Sequence, residues 1–338
     1  MHNWLQRQWT HTTLWHGLLI PLSWLFAGIS ALRRTAYRLG LLRTVKLPVP
    51  VIVVGNISVG GTGKTPLVIY LAQQLQQHGW RVGVISRGYG GNADTVTAVA
   101  AHSDPRIVGD EPLLIAQRTA CPLYIGRNRP AAAHTLLAAH PDISLIISDD
   151  GLQHYALARD INIAVIDGAR GFGNNRRLPA GPLREPRTRL AQMNAIVINQ
   201  TSSYHPSIPT AIAHYTMQLC GQQFTQLAHP RHTANAQNFI GKTIHAVAGI
   251  GNPQRFFDQL SAMGLTIIPH AFPDHHQYQP ADFNFANTNL SAIIIMTEKD
   301  AVKCQTFANE QMWGYAVDAQ LPDTFIADLL TQLGNHHG

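Results

Sequence analysis

The run Ser58-Val59-Gly60-Gly61-Thr62-Gly63-Lys64-Thr65 constrains this chain more than any other stretch. It follows an apolar run, Val51-Ile52-Val53-Val54, and precedes apolar residues at helical spacing, Leu67, Val68, Leu71 and Leu75. Strand, glycine-rich turn, Lys-Thr and helix is the order of a phosphate-binding P-loop. The glycines let backbone N–H groups converge on phosphate oxygens, and the helix N-terminus adds positive potential. Residues Ser58, Val59, Gly60, Gly61, Thr62, Gly63, Lys64 and Thr65 are therefore the expected nucleotide cradle. In it Lys64 reaches the β- and γ-phosphates of ATP, and the Thr65 hydroxyl ligates Mg2+. Ser58 stands where a glycine is usual, which makes the start of the loop less tolerant of positive φ.

Charge is distributed unevenly. Among 338 residues the formal charge is +6. Residues 1–46 hold Arg7, Arg33, Arg34, Arg38, Arg43 and Lys46 and no Asp or Glu; removing those six from the 25 Lys+Arg leaves 19, against 19 Asp+Glu. The basicity belongs to an N-terminal segment and not to a broad nucleic-acid-binding face. Cys121, Cys220 and Cys304 are far apart and odd in number, which fits neither a disulfide framework nor a metal knuckle. A reducing compartment is expected.

Residues 8–32 contain no Lys, Arg, Asp or Glu, and their centre is Leu18-Leu19-Ile20-Pro21-Leu22-Ser23-Trp24-Leu25-Phe26-Ala27. A spanning helix needs about 20 mostly apolar residues, and Pro21, His16 and Ser23 make this stretch borderline. Trp4, Trp9, Trp15 and Trp24 suit a membrane interface, and the arginines that follow suit anionic head groups. A cleaved signal peptide fits poorly, because the basic cluster comes after the apolar run. The expectation is a helix lying in the cytoplasmic leaflet, with a spanning helix and a helix packed on the protein's own core as the alternatives.

Downstream, short apolar runs alternate with helical patterns. Strands are expected at 81–86, 122–125, 145–148, 161–166 and 195–198, with a helix over 130–139. This rhythm indicates a mostly parallel, doubly wound sheet. Residues 200–240 are rich in Gln, His, Thr, Ser and Pro and read as a linker, with 215–219 and 224–227 as a two-stranded ribbon. A second α/β rhythm follows: strands at 244–247, 266–268, 293–296 and 315–317, and helices over 254–263 and 324–333. The expected organisation is a membrane-associated segment over 1–46, a P-loop domain over 47–200, a linker over 201–240 and a smaller α/β domain over 241–338. The two domains would enclose a cleft.

Several polar groups could serve phosphoryl transfer. Asp149-Asp150 ends the apolar run Leu145-Ile146-Ile147-Ser148, the place of a Walker B carboxylate, although a strand-to-helix turn also suits Asp-Asp-Gly. In Gly109-Asp110-Glu111-Pro112, helix capping accounts for the acidic pair as well as a metal ligand beside a general base does. Arg87 and Arg184 could hold phosphate groups, or be solvated loop charge. Asp274-His275-His276 reads from the residues alone as a surface loop. Thr297-Glu298-Lys299-Asp300 has Glu298 where a guanine-reading motif needs lysine. Gly249-Ile250-Gly251 lacks the third glycine of a dinucleotide fingerprint.

In order, Val54–Pro66, Ser86-Arg87-Gly88-Tyr89-Gly90, Gly109–Pro112, Asp149-Asp150-Gly151-Leu152-Gln153-His154, Leu178–Glu185 and Thr297–Lys303 resemble the tetraacyldisaccharide 4'-kinases, the lipid A kinases of Gram-negative bacteria. Serine or threonine is usual there at the Ser58 position. The resemblance implies two α/β/α sandwich domains behind an N-terminal membrane-associated helix, at the cytoplasmic face of the inner membrane. It implies ATP and Mg2+, and transfer of the γ-phosphate to the 4'-hydroxyl of a tetraacyldisaccharide 1-phosphate, giving lipid IVA. It also implies Asp110 as acid–base residue assisted by His275, with Lys64 on the transferred phosphate and Thr65, Glu111 and Asp149 at the metal. Arg87, Asp150 and Arg184 are the candidates for contacting the lipid A precursor. Partners are then that precursor and the membrane surface, with no nucleic acid and no obligate protein. The competing class is a membrane-associated P-loop ATPase switch; deviant-Walker switches carry a lysine near the loop start, where this chain has Val59.

Overall fold

The computed structural model of the chain describes residue 9 and residues 13–199, 208–286 and 292–335. Trp4 and Arg7, and the first residues of the expected linker, lie outside the described residues.

The chain opens with helix α1, Leu14–Arg38, which runs through Pro21. The first sheet then takes shape around β1 (Val51–Gly55), followed by α2 (Lys64–Gln77), β2 (Val82–Ser86) and β3 (Thr97–Val99). Next come α3 (Pro105–Val108), α4 (Asp110–Thr119), β4 (Leu123–Ile125), α5 (Arg129–Ala139), β5 (Leu145–Asp149), β6 (Ile161–Asp167) and β7 (Ala195–Asn199). Beyond them are β8 (His214–Cys220), β9 (Phe224–Gln226), β10 (Thr233–Ala234), β11 (Thr243–Ala248), α6 (Pro253–Ala262) and β12 (Thr266–Ala271). The last elements are β13 (Ile293–Thr297), α7 (Glu298–Cys304), β14 (Met312–Tyr315), β15 (Asp318–Gln320) and α8 (Asp323–Asn335).

Two sheets result. A nine-stranded sheet has the order β15-β8-β7-β6-β1-β5-β2-β4-β3, and a six-stranded sheet the order β10-β9-β14-β13-β11-β12. From β8 to β4 the large sheet is parallel, and β3 and β15 close its edges antiparallel. Strand side chains alternate between faces, so a strand covered on both sides must be apolar throughout. All of Val51–Gly55 is buried on those grounds. Ile52 and Val54 join Leu67, Leu71 and Leu75 of α2 and Leu113 of α4, while Val51 and Val53 join Ala132, Ala133 and Leu136 of α5 on the other face.

The expected boundaries shift in two places. The linker strands 215–219 and 224–227 do not pair with each other. Strand β8 joins the large sheet beside β7 and β15, and β9 joins the small sheet beside β14. A two-stranded ribbon does cross between the sheets, but its second strand is β14–β15. The strand expected at 315–317 breaks at Ala316-Val317 because the chain changes sheets there. Residues 318–335, expected with the second domain, return to the first: Phe325, Leu329 and Leu333 of α8 pack in the same core as α2. Their apolar face matches the large sheet's open end, and sequence order carries no information about that choice.

Helix α1 is only partly covered. Ser23 Oγ donates to the Arg177 carbonyl at 2.9 Å and accepts from Ala180 N at 3.0 Å, which ties one face to the 177–180 loop. Leu18, Leu22, Trp24, Leu25, Ile29 and Leu32 stand exposed on the rest. His16–Arg38 is long and apolar enough to cross a membrane.

Candidate active site

The P-loop sits where β1 ends, and sheet register brings its partners to it. Val54 of β1 lies beside Asp149 of β5, and Ile85 of β2 lies beside Ser148. Asp149 therefore reaches the carboxyl edge of the sheet next to the loop, and Ser86 Oγ donates to its Oδ2 at 3.1 Å. Asn199, at the end of β7, donates through Nδ2 to the Thr62 carbonyl at 3.0 Å, and Asn56 Nδ2 reaches Thr62 Oγ1 at 3.3 Å. These amides set the loop's shape. Gly63 has φ +91°, and a Cβ there would run into the Asn199 amide, so only glycine suits the position. Asn199 was not legible beforehand, because a lone Asn at a strand end has no pattern of its own.

The Pro/Gly-rich stretch 178–185 lies along the start of the P-loop. Ser58 bridges Leu183, Val59 N donates to the Pro182 carbonyl at 2.8 Å, and Arg184 N donates to the Ile57 carbonyl at 2.7 Å. That zipper delivers Arg184 to Asp150, Nη1 to Oδ2 3.1 Å, while Lys64 Nζ lies 3.6 Å from Asp150 Oδ1. Burial alone would raise the Asp150 carboxyl, but Lys64 and Arg184 outweigh it and hold the group at about 2. Asp150 has φ +46°, a left-handed conformation that Asp and Asn tolerate best among residues with a Cβ.

The acidic pair opens α4. Asp110 is buried, and burial pushes its carboxyl up; the hydrogen bond to His275 and the charges of Lys299 and Lys303 prevail and bring it to about 2. His275 Nδ1 is 3.0 Å from Asp110 Oδ2, and the His275 ring meets Tyr89 edge-on at 5.2 Å between centroids. Burial lowers His275, yet its bond to Asp110 raises it further, so the net direction is upward. The loop read from residues alone as surface thus delivers His275 to the carboxylate. Glu111 accepts from Lys299 Nζ at 2.8 Å; burial raises it, and Lys299 and Lys64 bring it below its ordinary value.

Asp149 behaves differently. Burial and the nearby Glu111 and Asp150 carboxylates push it up to about 6 against Lys64 and Arg129. Its Oδ1 is buried with no hydrogen-bond partner. An orphaned carboxylate oxygen among acidic neighbours is what a hard divalent cation relieves, so the donor set fits Mg2+. Thr65 follows Lys64 in the first turn of α2. Among the described residues no group of three or more His, Cys, Asp and Glu forms a metal site unaided.

A cleft of 460 Å³ opens beside these groups, between α1 and the P-loop. Arg33 and Arg34 of α1 line it together with Arg87, Asp150, His154 and Arg184. Burial and the Arg129, Arg87 and Arg33 charges push His154 down to about 4, so it is neutral near pH 7. A larger cleft of 870 Å³, lined by Arg118, Cys220 and Glu298 among others, contains none of the P-loop or Asp110 residues. From the second domain, the backbone at Gly251 approaches Gly61 so closely that a Cβ would lie 3.3 Å from Gly61 N. Arg170 and Arg255 converge on buried Asp167 at 3.4 and 3.3 Å, another contact sequence reading missed because its members are isolated charges.

The sequence model of the tetraacyldisaccharide-1-P 4'-kinase family, LpxK, matches residues 15–334. A tetraacyldisaccharide 4'-kinase of Methylobacillus flagellatus is 52% identical over 330 residues, covering 98% of this chain and 96% of the relative. One from Azoarcus sp. strain BH72 is 50% identical over 321 residues, covering 95% and 92%. The crystal structure of LpxK from Aquifex aeolicus in complex with ATP matches with a TM-score of 0.80 at 28% identity, covering 95% of this chain and 99% of that one. With the P-loop, the Asp110–His275 pair and the arginine-lined cleft in the order and places described, the chain belongs to the tetraacyldisaccharide 4'-kinase family.

Proposed function

We propose that this chain transfers the γ-phosphoryl group of ATP to the 4'-hydroxyl of a tetraacylated disaccharide 1-phosphate at the cytoplasmic face of a bacterial inner membrane. The observation that carries the reading is the arrival of His275, from the second domain, at Asp110 beside the P-loop carboxylates. Phosphoryl transfer asks mainly for positioning and for neutralisation of charge. The loop amides around Lys64 would cradle the ATP phosphates, and Lys64 would neutralise oxygens of the transferred group. Asp110 would accept the proton of the sugar hydroxyl as that oxygen forms its bond to phosphorus and the bond to ADP breaks. His275 would orient the carboxylate and share the proton. Thr65, Glu111 and Asp149 would hold Mg2+, which would supply positive charge to offset that of the phosphates.

The acceptor's acyl chains stay in the bilayer, so the enzyme would come to it. The exposed apolar face of α1 would enter the leaflet, with Arg33, Arg34 and Arg38 at the head-group level. Arg87, Asp150 and Arg184 would then meet the polar head of the acceptor in the cleft beside α1. Incubation with γ-labelled ATP and the disaccharide 1-phosphate tests the reading. Label in the lipid supports it; label released only as inorganic phosphate by folded protein points to an ATPase switch instead.

A further inference from the structure

Helices α4 and α7 face each other across the two domains, and their charges alternate in sign. At one end Arg118 of α4 pairs with Glu298 of α7 at 2.7 Å and with Asp318 of β15. At the other end Lys299 Nζ sits 2.8 Å from Glu111 Oε1, 3.4 Å from Asp274 Oδ1 and 3.9 Å from Asp110 Oδ2. One ammonium thus joins the α4 acidic pair to the loop that carries His275. Its side chain is 17% exposed, so solvent screens these contacts weakly. Lys303, one turn on, adds a second positive charge 3.9 Å from Asp110.

We propose that Lys299 is a positioning residue that occupies the electrostatic place of a cation at Glu111 and is exchanged there for the divalent metal, while its contact with Asp274 keeps the His275 loop in register with Asp110. The proposal rests on the reading of Glu111 as a metal ligand. A carboxylate cannot give the same oxygen fully to an ammonium and to a metal ion. Metal loading therefore opens the Lys299–Glu111 pair, and the protein binds the ion more weakly than it would without Lys299. The same side chain spans both domains, so its removal should also let the His275 loop drift. The two effects have opposite signs: tighter metal binding and slower catalysis. A residue serving only to hold the fold together would weaken both.

Mn2+ titration of the free full-length protein, followed by the loss of the free-ion electron paramagnetic resonance signal, reads the first effect. Lys299→Met should bind Mn2+ about tenfold more tightly than wild type. Its kcat should fall by about 10²-fold with little change in the KM for ATP, the scale of a misplaced catalytic group. Lys299→Arg keeps the charge and should keep the wild-type Mn2+ affinity. Asp274→Asn, at a partly exposed position, should lower kcat and leave Mn2+ affinity unchanged, because Lys299 still covers Glu111. Unchanged or weaker Mn2+ binding by folded Lys299→Met overturns the proposal, as does wild-type kcat in Asp274→Asn. Wild-type protein that binds Mn2+ more weakly than Lys299→Met but transfers no phosphate to the disaccharide would overturn the proposed reaction and uphold the exchange at Glu111.

Discussion

His275 Nδ1 stands 3.0 Å from Asp110 Oδ2, although the two residues are 165 positions apart and belong to different domains. A pair built across a domain boundary can form only when both domains are in place. His275→Ala should lower kcat by about 10²-fold, the usual contribution of a proton-transfer partner. ATP affinity by calorimetry should stay at the wild-type value. A parallel loss of ATP binding would mean that His275 supports the fold or the nucleotide instead.

Asp150 holds Lys64 and Arg184 together from a left-handed backbone position. Asp150→Asn should keep the fold, since Asn tolerates positive φ, yet release both cations and raise the KM for the acceptor. Asp150→Val should add a backbone penalty of about 1–2 kcal/mol, visible as a lower melting temperature than that of Asp150→Asn. Equal melting temperatures for the two variants would contradict the strained geometry.

Stability should depend on pH through His154. The folded state holds it at about 4 while the unfolded chain titrates near 6.5, so between those values the unfolded state binds more protons. The contribution of His154 is complete above pH 6.5 and is lost as pH falls toward 4. Denaturant unfolding at pH 7 and pH 5 should show a smaller drop for His154→Gln than for wild type. Identical drops would place the acid sensitivity elsewhere.

The exposed face of α1 should govern membrane attachment. Leu25 and Ile29 lie one turn apart, each 61% exposed. Leu25→Glu/Ile29→Glu should sediment poorly with anionic vesicles and bind ATP as wild type does, because Ser23 anchors the opposite face. Undiminished sedimentation would assign attachment to another surface.

What the sequence made legible is what local chemistry encodes. The P-loop, the strand-ending Asp149-Asp150 and the alternation of strands and helices depend on neighbours within a few residues. The partition of the linker did not emerge, because β8 and β9 look alike and only long-range pairing sends them to different sheets. Helix α8 was expected as a helix but not in the first domain, since an apolar face does not say which sheet it covers. Lys299 appeared only inside the Thr297–Lys303 stretch of the family resemblance, with no role of its own. Its three carboxylate neighbours come from two separate segments, and nothing local announces them. Asn199, Arg170 and Arg255 escaped notice for the same reason.

The proposed reaction centres on a nucleotide held by the loop around Lys64 and turned toward a hydroxyl that Asp110 would deprotonate. Single-turnover transfer from γ-labelled ATP to the disaccharide 1-phosphate, measured alongside ATP affinity, tests this most directly. Asp110→Ala should bind ATP like wild type and transfer phosphate at least about 10²-fold more slowly, whereas Lys64→Ala should lose affinity and transfer together. Wild-type transfer rates in Asp110→Ala, or undiminished ATP binding and transfer in Lys64→Ala, would contradict it.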